Sequence, residues 1–145
     1  MRAEKSIYID RPPAEVFAFV ADPANDMRWR TELTSASLVG DTARGVGSHV
    51  QQTIAYQGRT ATTRLDVTEY VAGERICFRM HGDARAHGCY DLQPEGTGTL
   101  FTVSLAIELK GEAQMLERYV AQAVDVVTDR DLERLKAILE SPSGR

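Results

Sequence analysis

Gln52, Tyr56, Thr63, Tyr90 and Tyr119 are polar side chains at positions whose neighbours on the same face are apolar. Each brings a hydroxyl or an amide that can place one hydrogen bond inside greasy surroundings, the combination that small-molecule sites use. The tyrosines have a second reading, as core residues whose hydroxyls reach water or backbone. Arg59 and Glu69 share the inward parity but stand at strand ends, where they either guard the mouth of a pocket or reach solvent. Trp29 either stacks on a guest at the entrance or packs down a short helical segment. The three histidines, His49, His81 and His87, fall on the outward parity, and no histidine–carboxylate set has ligand spacing, so no metal site is expected. No serine sits in a G-x-S-x-G elbow. "GDTARGVG" lacks both the P-loop lysine and the dinucleotide spacing, so it reads as a turn and no cofactor is expected.

The elements that must hold these residues follow from periodicity. Ile7 and Ile9 alternate with Ser6 and Asp10, giving a half-buried strand. Pro12 and Pro13 end its ladder, and proline suits a first helical turn. Ala14 to Val20 carries Val16, Phe17 and Val20 on one helix face. Asp22-Pro23 stops that helix and starts a second, short one that ends near Trp29, with Asp22 as its cap. Five strand patterns follow. Ser48 to Tyr56 and Arg59 to Tyr70 flank Gln57-Gly58, which reads as a two-residue hairpin turn. That turn pairs Tyr56 with Arg59, Ile54 with Ala61, Gln52 with Thr63, Val50 with Leu65 and His49 with Asp66. Glu74 to Met80 pairs with Ala86 to Leu92 through Gly82-Asp83-Ala84, which sets Ile76 beside Tyr90, Arg75 beside Asp91 and Cys77 beside Cys89. Thr99 to Leu109 alternates over a long stretch. Glu112 to about Leu139 is a long helix whose stripe includes Leu116, Val120, Leu132, Leu135 and Leu139, widened by Met115, Tyr119 and Ala123.

A strongly bent antiparallel sheet can wrap its apolar face around that last helix. The expected class is therefore α+β: a curved antiparallel sheet around a long C-terminal helix, with two short helices after the first strand. Residues 1–140 read as one domain and 141–145 as a disordered tail. The sheet presents Ile54, Leu65, Phe78, Met80, Tyr90, Phe101 and Val103 to the helix. One helix with a narrow stripe covers so broad a concave surface poorly, so either side chains fill the middle or a pocket remains.

The stretches "IDRPPAEVFAFVADPANDMRW", "GVGSHV", "VTEYVAGERICFRM" and "GTGTLFTVSLAIEL" resemble, in that order, the START-like or Bet v 1-like superfamily, in its polyketide cyclase/dehydrase and lipid-transport group. With the final helix the resemblance covers nearly the whole chain. It implies a helix-grip fold with a cavity between sheet and helix. It also implies one of three activities: binding of a small hydrophobic ligand (lipid, polyketide or isoprenoid), cyclase/dehydratase chemistry in which pocket arginine and tyrosine polarise a carbonyl, or, third in order, a protein-interaction module like the co-chaperone branch. The candidates for that chemistry are Arg59, Tyr56 and Tyr90. The candidate binding residues are Trp29, Gln52, Ile54, Tyr56, Thr63, Leu65, Phe78, Met80, Tyr90, Phe101, Val103, Met115 and Tyr119. Fold by itself does not choose between the activities.

The bulk properties narrow the partners. A formal charge of −4 with both signs scattered argues against nucleic acid, which asks for a basic stripe. No apolar run is long enough to span a bilayer. The charged start, Met1 to Lys5, leads straight into a strand pattern, so no signal peptide is expected and a cytoplasmic location is. In that compartment Cys77 and Cys89 are expected as free thiols. A monomer or homodimer, binding a small hydrophobic molecule, is the expected state.

Overall fold

The structure is a computed structural model that describes residues 1–38, 45–56, 58–82 and 85–142. Its strands are β1 (Arg2–Ile9), β2 (Leu33–Leu38), β3 (His49–Tyr56), β4 (Arg59–Val71), β5 (Arg75–Gly82), β6 (Arg85–Glu95) and β7 (Gly98–Glu108). Its α-helices are α1 (Pro13–Val20), α2 (Asp26–Trp29) and α3 (Glu117–Glu140). The strands form one antiparallel sheet in the order β1-β7-β6-β5-β4-β3-β2. The sheet curls around α3, in the helix-grip arrangement.

The chain between β1 and β2 makes the plug at one end. Pro13 opens α1, where a missing N–H costs nothing. Val16, Phe17, Phe19 and Val20 are buried, and Phe17 meets Tyr70 edge-on at 5.3 Å. Asp22 caps the 3₁₀ turn Pro23–Asn25 by accepting from the Ala24 N–H at 3.0 Å. α2 is only one turn long, and extended backbone at Arg30 releases the chain toward β2.

The β3–β4 hairpin has the expected register, from Tyr56↔Arg59 to His49↔Asp66. Gly58 takes φ +79° in the turn, a region open to glycine; its neighbour Gln57 lies outside the described residues. The β5–β6 register is also as expected: Arg75↔Asp91, Ile76↔Tyr90 and Cys77↔Cys89. Asp83 and Ala84, placed in that turn, lie outside the described residues, as do 143–145 of the tail.

Four expectations need correction. Leu33–Leu38 is an edge strand, β2, that periodicity did not reveal. It is a serine-rich run without alternation, and its register shifts between Leu33 and Ser35. Glu69 points outward. A bulge between Val67 and Glu69 inserts one residue and flips the parity, so Glu69 faces Cys77 and accepts from Arg75 Nε at 3.1 Å. Cys77 and Cys89 are joined in a disulfide, not free: the register sets their Cα atoms 4.1 Å apart. The bond lies on the outer face beneath Arg75, whose guanidinium donates to Cys89 Sγ at 3.3 Å and pairs with Asp91. Finally, the helical segment starts as a 3₁₀ turn, Gly111–Leu116, and only from Glu117 becomes α-helix.

That last difference decides where the core lies. Leu132, Leu135 and Leu139 are buried with Ile9, Val16, Phe17, Trp29, Ile76, Leu92 and Phe101. All three leucines belong to the second half of α3. The first half is only partly covered, and Met115, Leu116, Tyr119 and Val126 are exposed. Lys5 of the edge strand β1 reaches Asp125 at 2.6 Å and Asp129 at 3.2 Å, which ties α3 over that edge. Among the described residues no helix is long and apolar enough to cross a membrane.

Candidate functional site

Because α3 packs tightly only toward its C-terminal end, space remains beneath its middle turns, from Ala123 to Leu132. A cavity of about 250 Å³ lies there, between the concave face of the sheet and α3. The sheet contributes Ile54, Leu65, Phe78, Met80, Tyr90 and Val103, and α3 contributes Ala123, Val124, Val127, Thr128, Asp131 and Leu132. Gly88 also lines it, opposite Phe78 on the neighbouring strand. A Cβ there would come within 3.2 Å of Leu105 Cδ1, so glycine keeps this part of the wall thin.

Aromatic rings close the inner end. Trp29 meets Tyr90 edge-on at 5.7 Å and Phe101 at 6.3 Å, while Tyr90 meets Phe78 at 5.0 Å. Such edge-to-face pairs hold their rings in fixed orientation. Trp29 thus does both things considered for it, packing the short helix against the sheet and lining the cavity.

Polar groups gather beside these rings. Arg30 follows Trp29 where α2 ends, and donates from Nη1 to Gln52 Oε1 at 3.0 Å. Thr31 donates twice to Asp131 Oδ1, from its N–H at 2.9 Å and its hydroxyl at 2.8 Å. Glu32 borders the cavity and pairs with Arg130 of α3 at 3.1 Å, which fastens the start of β2 to the helix. Burial raises Asp131 above the ordinary carboxylate range, against the Thr31 hydrogen bonds and Arg30. Burial likewise raises the Tyr90 phenol; Arg30 opposes, and Asp26 and Asp131 add to the rise. Tyr90 is therefore a neutral hydroxyl at any physiological pH.

Asp26 is the second buried carboxyl. It is 8% exposed and receives no hydrogen bond from a described residue. Desolvation pushes it up to about 7, with Arg30 pulling the other way and Asp22 adding to the rise. It lines a side chamber of about 30 Å³ together with Arg30, Ser48, Tyr70 and Tyr90. Arg30, Leu65, Phe78 and Tyr90 line both the chamber and the main cavity, which lie side by side.

The residues expected to form the site separate into groups. Trp29, Ile54, Leu65, Phe78, Met80, Tyr90 and Val103 line the cavity. Gln52 and Thr63 are a fully buried cross-strand pair standing behind Arg30; Gln52 Nε2 and Thr63 Oγ1 have no partner among the described residues. Phe101 is packed solidly in the core. Met115 and Tyr119 are 84% and 70% exposed and do not border the cavity, because the chain enters α3 through a 3₁₀ turn that changes the angular spacing. Tyr56 and Arg59 pair at the ends of β3 and β4, and their side chains lie outside the described part of the molecule. Among the described residues the arginine that borders the cavity is Arg30, with Glu32 and Asp131 beside it and Asp26 in the side chamber; none of the four was expected. One signal was present for Asp131: it is the lone acidic residue on the stripe running Val124, Val127, Thr128, Leu132, Leu135. Among the described residues no group of three His, Cys, Asp or Glu is placed to hold a metal ion.

The profile of a protein family described as "Polyketide cyclase / dehydrase and lipid transport" matches residues 1–140. No curated protein matches the sequence. Among solved structures, TTHA0849 from Thermus thermophilus superposes with a TM-score of 0.83 at 20% identity, over 94% of this chain and 95% of that one. The Zhui aromatase/cyclase from a Streptomyces species gives 0.81 at 11% identity, over 97% and 93%. A START superfamily protein from Mycobacterium smegmatis gives 0.75 at 15% identity, over 96% and 97%. At such identities the likeness establishes the START-like, Bet v 1-like fold.

Proposed function

Because the chain belongs to the polyketide cyclase/dehydrase and lipid-transport family, we propose that it binds one small, mainly apolar organic molecule in the cavity between the sheet and α3. The observation that carries this reading is the cavity itself: about 250 Å³ left open between the concave face of the sheet and α3. Its walls are mostly aliphatic and aromatic, with a few polar groups at one end, which is the make-up of a ligand site. Its size is just under the usual range of about 300–1,000 Å³ for such sites. That volume suits a fused-ring or short-chain molecule.

A second reading is cyclase- or dehydratase-type catalysis. Arg30, Tyr90 and Asp131 at the closed end favour it, since a guanidinium and a neutral phenol can polarise a carbonyl and a buried carboxylate can take a proton. Of the residues expected for that role, Tyr90 is among these; the side chains of Arg59 and Tyr56 lie outside the described residues.

One experiment addresses both. The purified protein is incubated with a mixed lipid and polyketide extract, washed, and its retained compounds identified by mass spectrometry. Binding alone returns an unaltered apolar compound in equimolar amount. Catalysis returns it short of one water or as a ring-closed isomer. Recovery of nothing above a boiled control overturns the binding reading.

A further inference from the structure

The side chamber adds a feature that apolar binding does not require. It is lined by Asp26, a residue 8% exposed whose carboxyl accepts no hydrogen bond from a described residue. A buried acceptor of that kind is costly unless something satisfies it. Arg30 borders both compartments, commits Nη1 to Gln52, and has further N–H groups in its fork. About 30 Å³ is the room that one water molecule occupies. The chamber therefore accommodates a single oxygen, and the main cavity beside it accommodates a ring.

The group that suits this pair must give a hydrogen to the carboxyl and take one from the guanidinium, with no charge of its own. A hydroxyl does both. A carboxylate guest would face Asp26, Asp131 and Glu32, and an alkyl end would leave the Asp26 carboxyl unmet. Resting on the binding reading above, we propose that the chamber between Asp26 and Arg30 is a hydroxyl-binding subsite, and that the guest is a neutral, ring-sized alcohol or phenol.

Three probes that share one ring system test this by calorimetry on the intact protein: 2-naphthalenemethanol, 2-ethylnaphthalene and 2-naphthoate. The alcohol is expected to bind at least about tenfold more tightly than the hydrocarbon, because a site built for a hydroxyl rejects the analogue lacking it. The naphthoate is expected to bind more weakly than either. In Asp26→Leu the alcohol and hydrocarbon should bind within about twofold of each other. In Asp26→Asn, which retains a donor and an acceptor, the preference should persist. Thermal melting checks that both variants fold, and Arg30→Met, expected to lose the same preference, provides a route if Asp26→Leu does not. Equal binding of alcohol and hydrocarbon by the native protein overturns the subsite while leaving cavity binding intact, the result expected if a resident water already fills the chamber. No binding of any probe overturns the subsite together with the reading it rests on.

Discussion

Asp26 shows how a residue can be decisive and yet unreadable in a sequence. In "DPANDMRW" two aspartates stand four apart, both suited to begin a short helix. Asp22 does so, at the surface. Asp26 is instead carried inward by the one-turn helix α2, which also delivers Trp29 and Arg30 to the cavity. Nothing in residue type separates the two; burial does. Gln52, Thr63 and Tyr90 were readable as inward polar residues because they alternate with apolar ones in strands. Arg30 and Glu32 stand in the short link between α2 and β2, which has no period, so their direction was hidden. The raised Asp26 carboxyl has a consequence for stability. Its ordinary value is 3.8 and its folded value about 7, so between these the folded state holds more protons than the unfolded one. Stability then falls as pH rises from about 4 to 7 and levels off above. Asp26→Asn removes this slope. Relative to the native protein it should gain stability at pH 8, by at most about 4 kcal/mol, with the gain shrinking to nothing near pH 4. Urea melts of both proteins across that range report it. A gain that does not vary with pH would show that Asp26 is already satisfied and ionised in the folded state.

At the scale of elements, strand register was the most legible property. In the β3–β4 hairpin a two-residue turn and period-two faces leave a single pairing that matches apolar with apolar, and it is the pairing observed. The β5–β6 pairing follows the same logic and is likewise observed. A bulge adds one residue without changing composition, so the reversal of Glu69 left no trace in the pattern. The β5–β6 pairing has a covalent consequence. With Cys77 and Cys89 directly opposed and bonded, the sheet carries a cross-link on its outer face, behind Phe78 and Tyr90 of the cavity wall. The closed loop spans 12 residues. Loops of that length correspond to about 3 kcal/mol of stabilisation. Thiol titration of the unfolded, unreduced protein should find no free thiol, and Cys77→Ser/Cys89→Ser should melt several degrees lower while keeping the register. Two titratable thiols in the protein as purified from an oxidising buffer would exclude the bond.

At the scale of the whole molecule, the sequence carried the wrapping of sheet around helix but not how the helix lies in the wrap. An apolar stripe along α3 predicts packing over its length. The curl of the sheet, tightened by bulges in β2 and β4, closes around only the second half. The middle turns span open space, and the cavity is the volume between a curved surface and a straight rod. This makes the cavity a product of shape, and filling it should leave the fold intact. Val127 is partly buried on α3 and faces the cavity midway along the helix. In Val127→Trp the indole has empty volume to enter, where a packed core would be strained by it. Burial of additional apolar surface, at about 25 cal/mol per Å², favours the folded state. The variant is therefore expected to melt at or above the native temperature, and to lose calorimetric binding of 2-naphthalenemethanol and 2-ethylnaphthalene by at least about tenfold. A variant that melts well below the native protein would mean that the space beneath α3 is already filled. One that melts normally and binds both probes as before would place their site elsewhere.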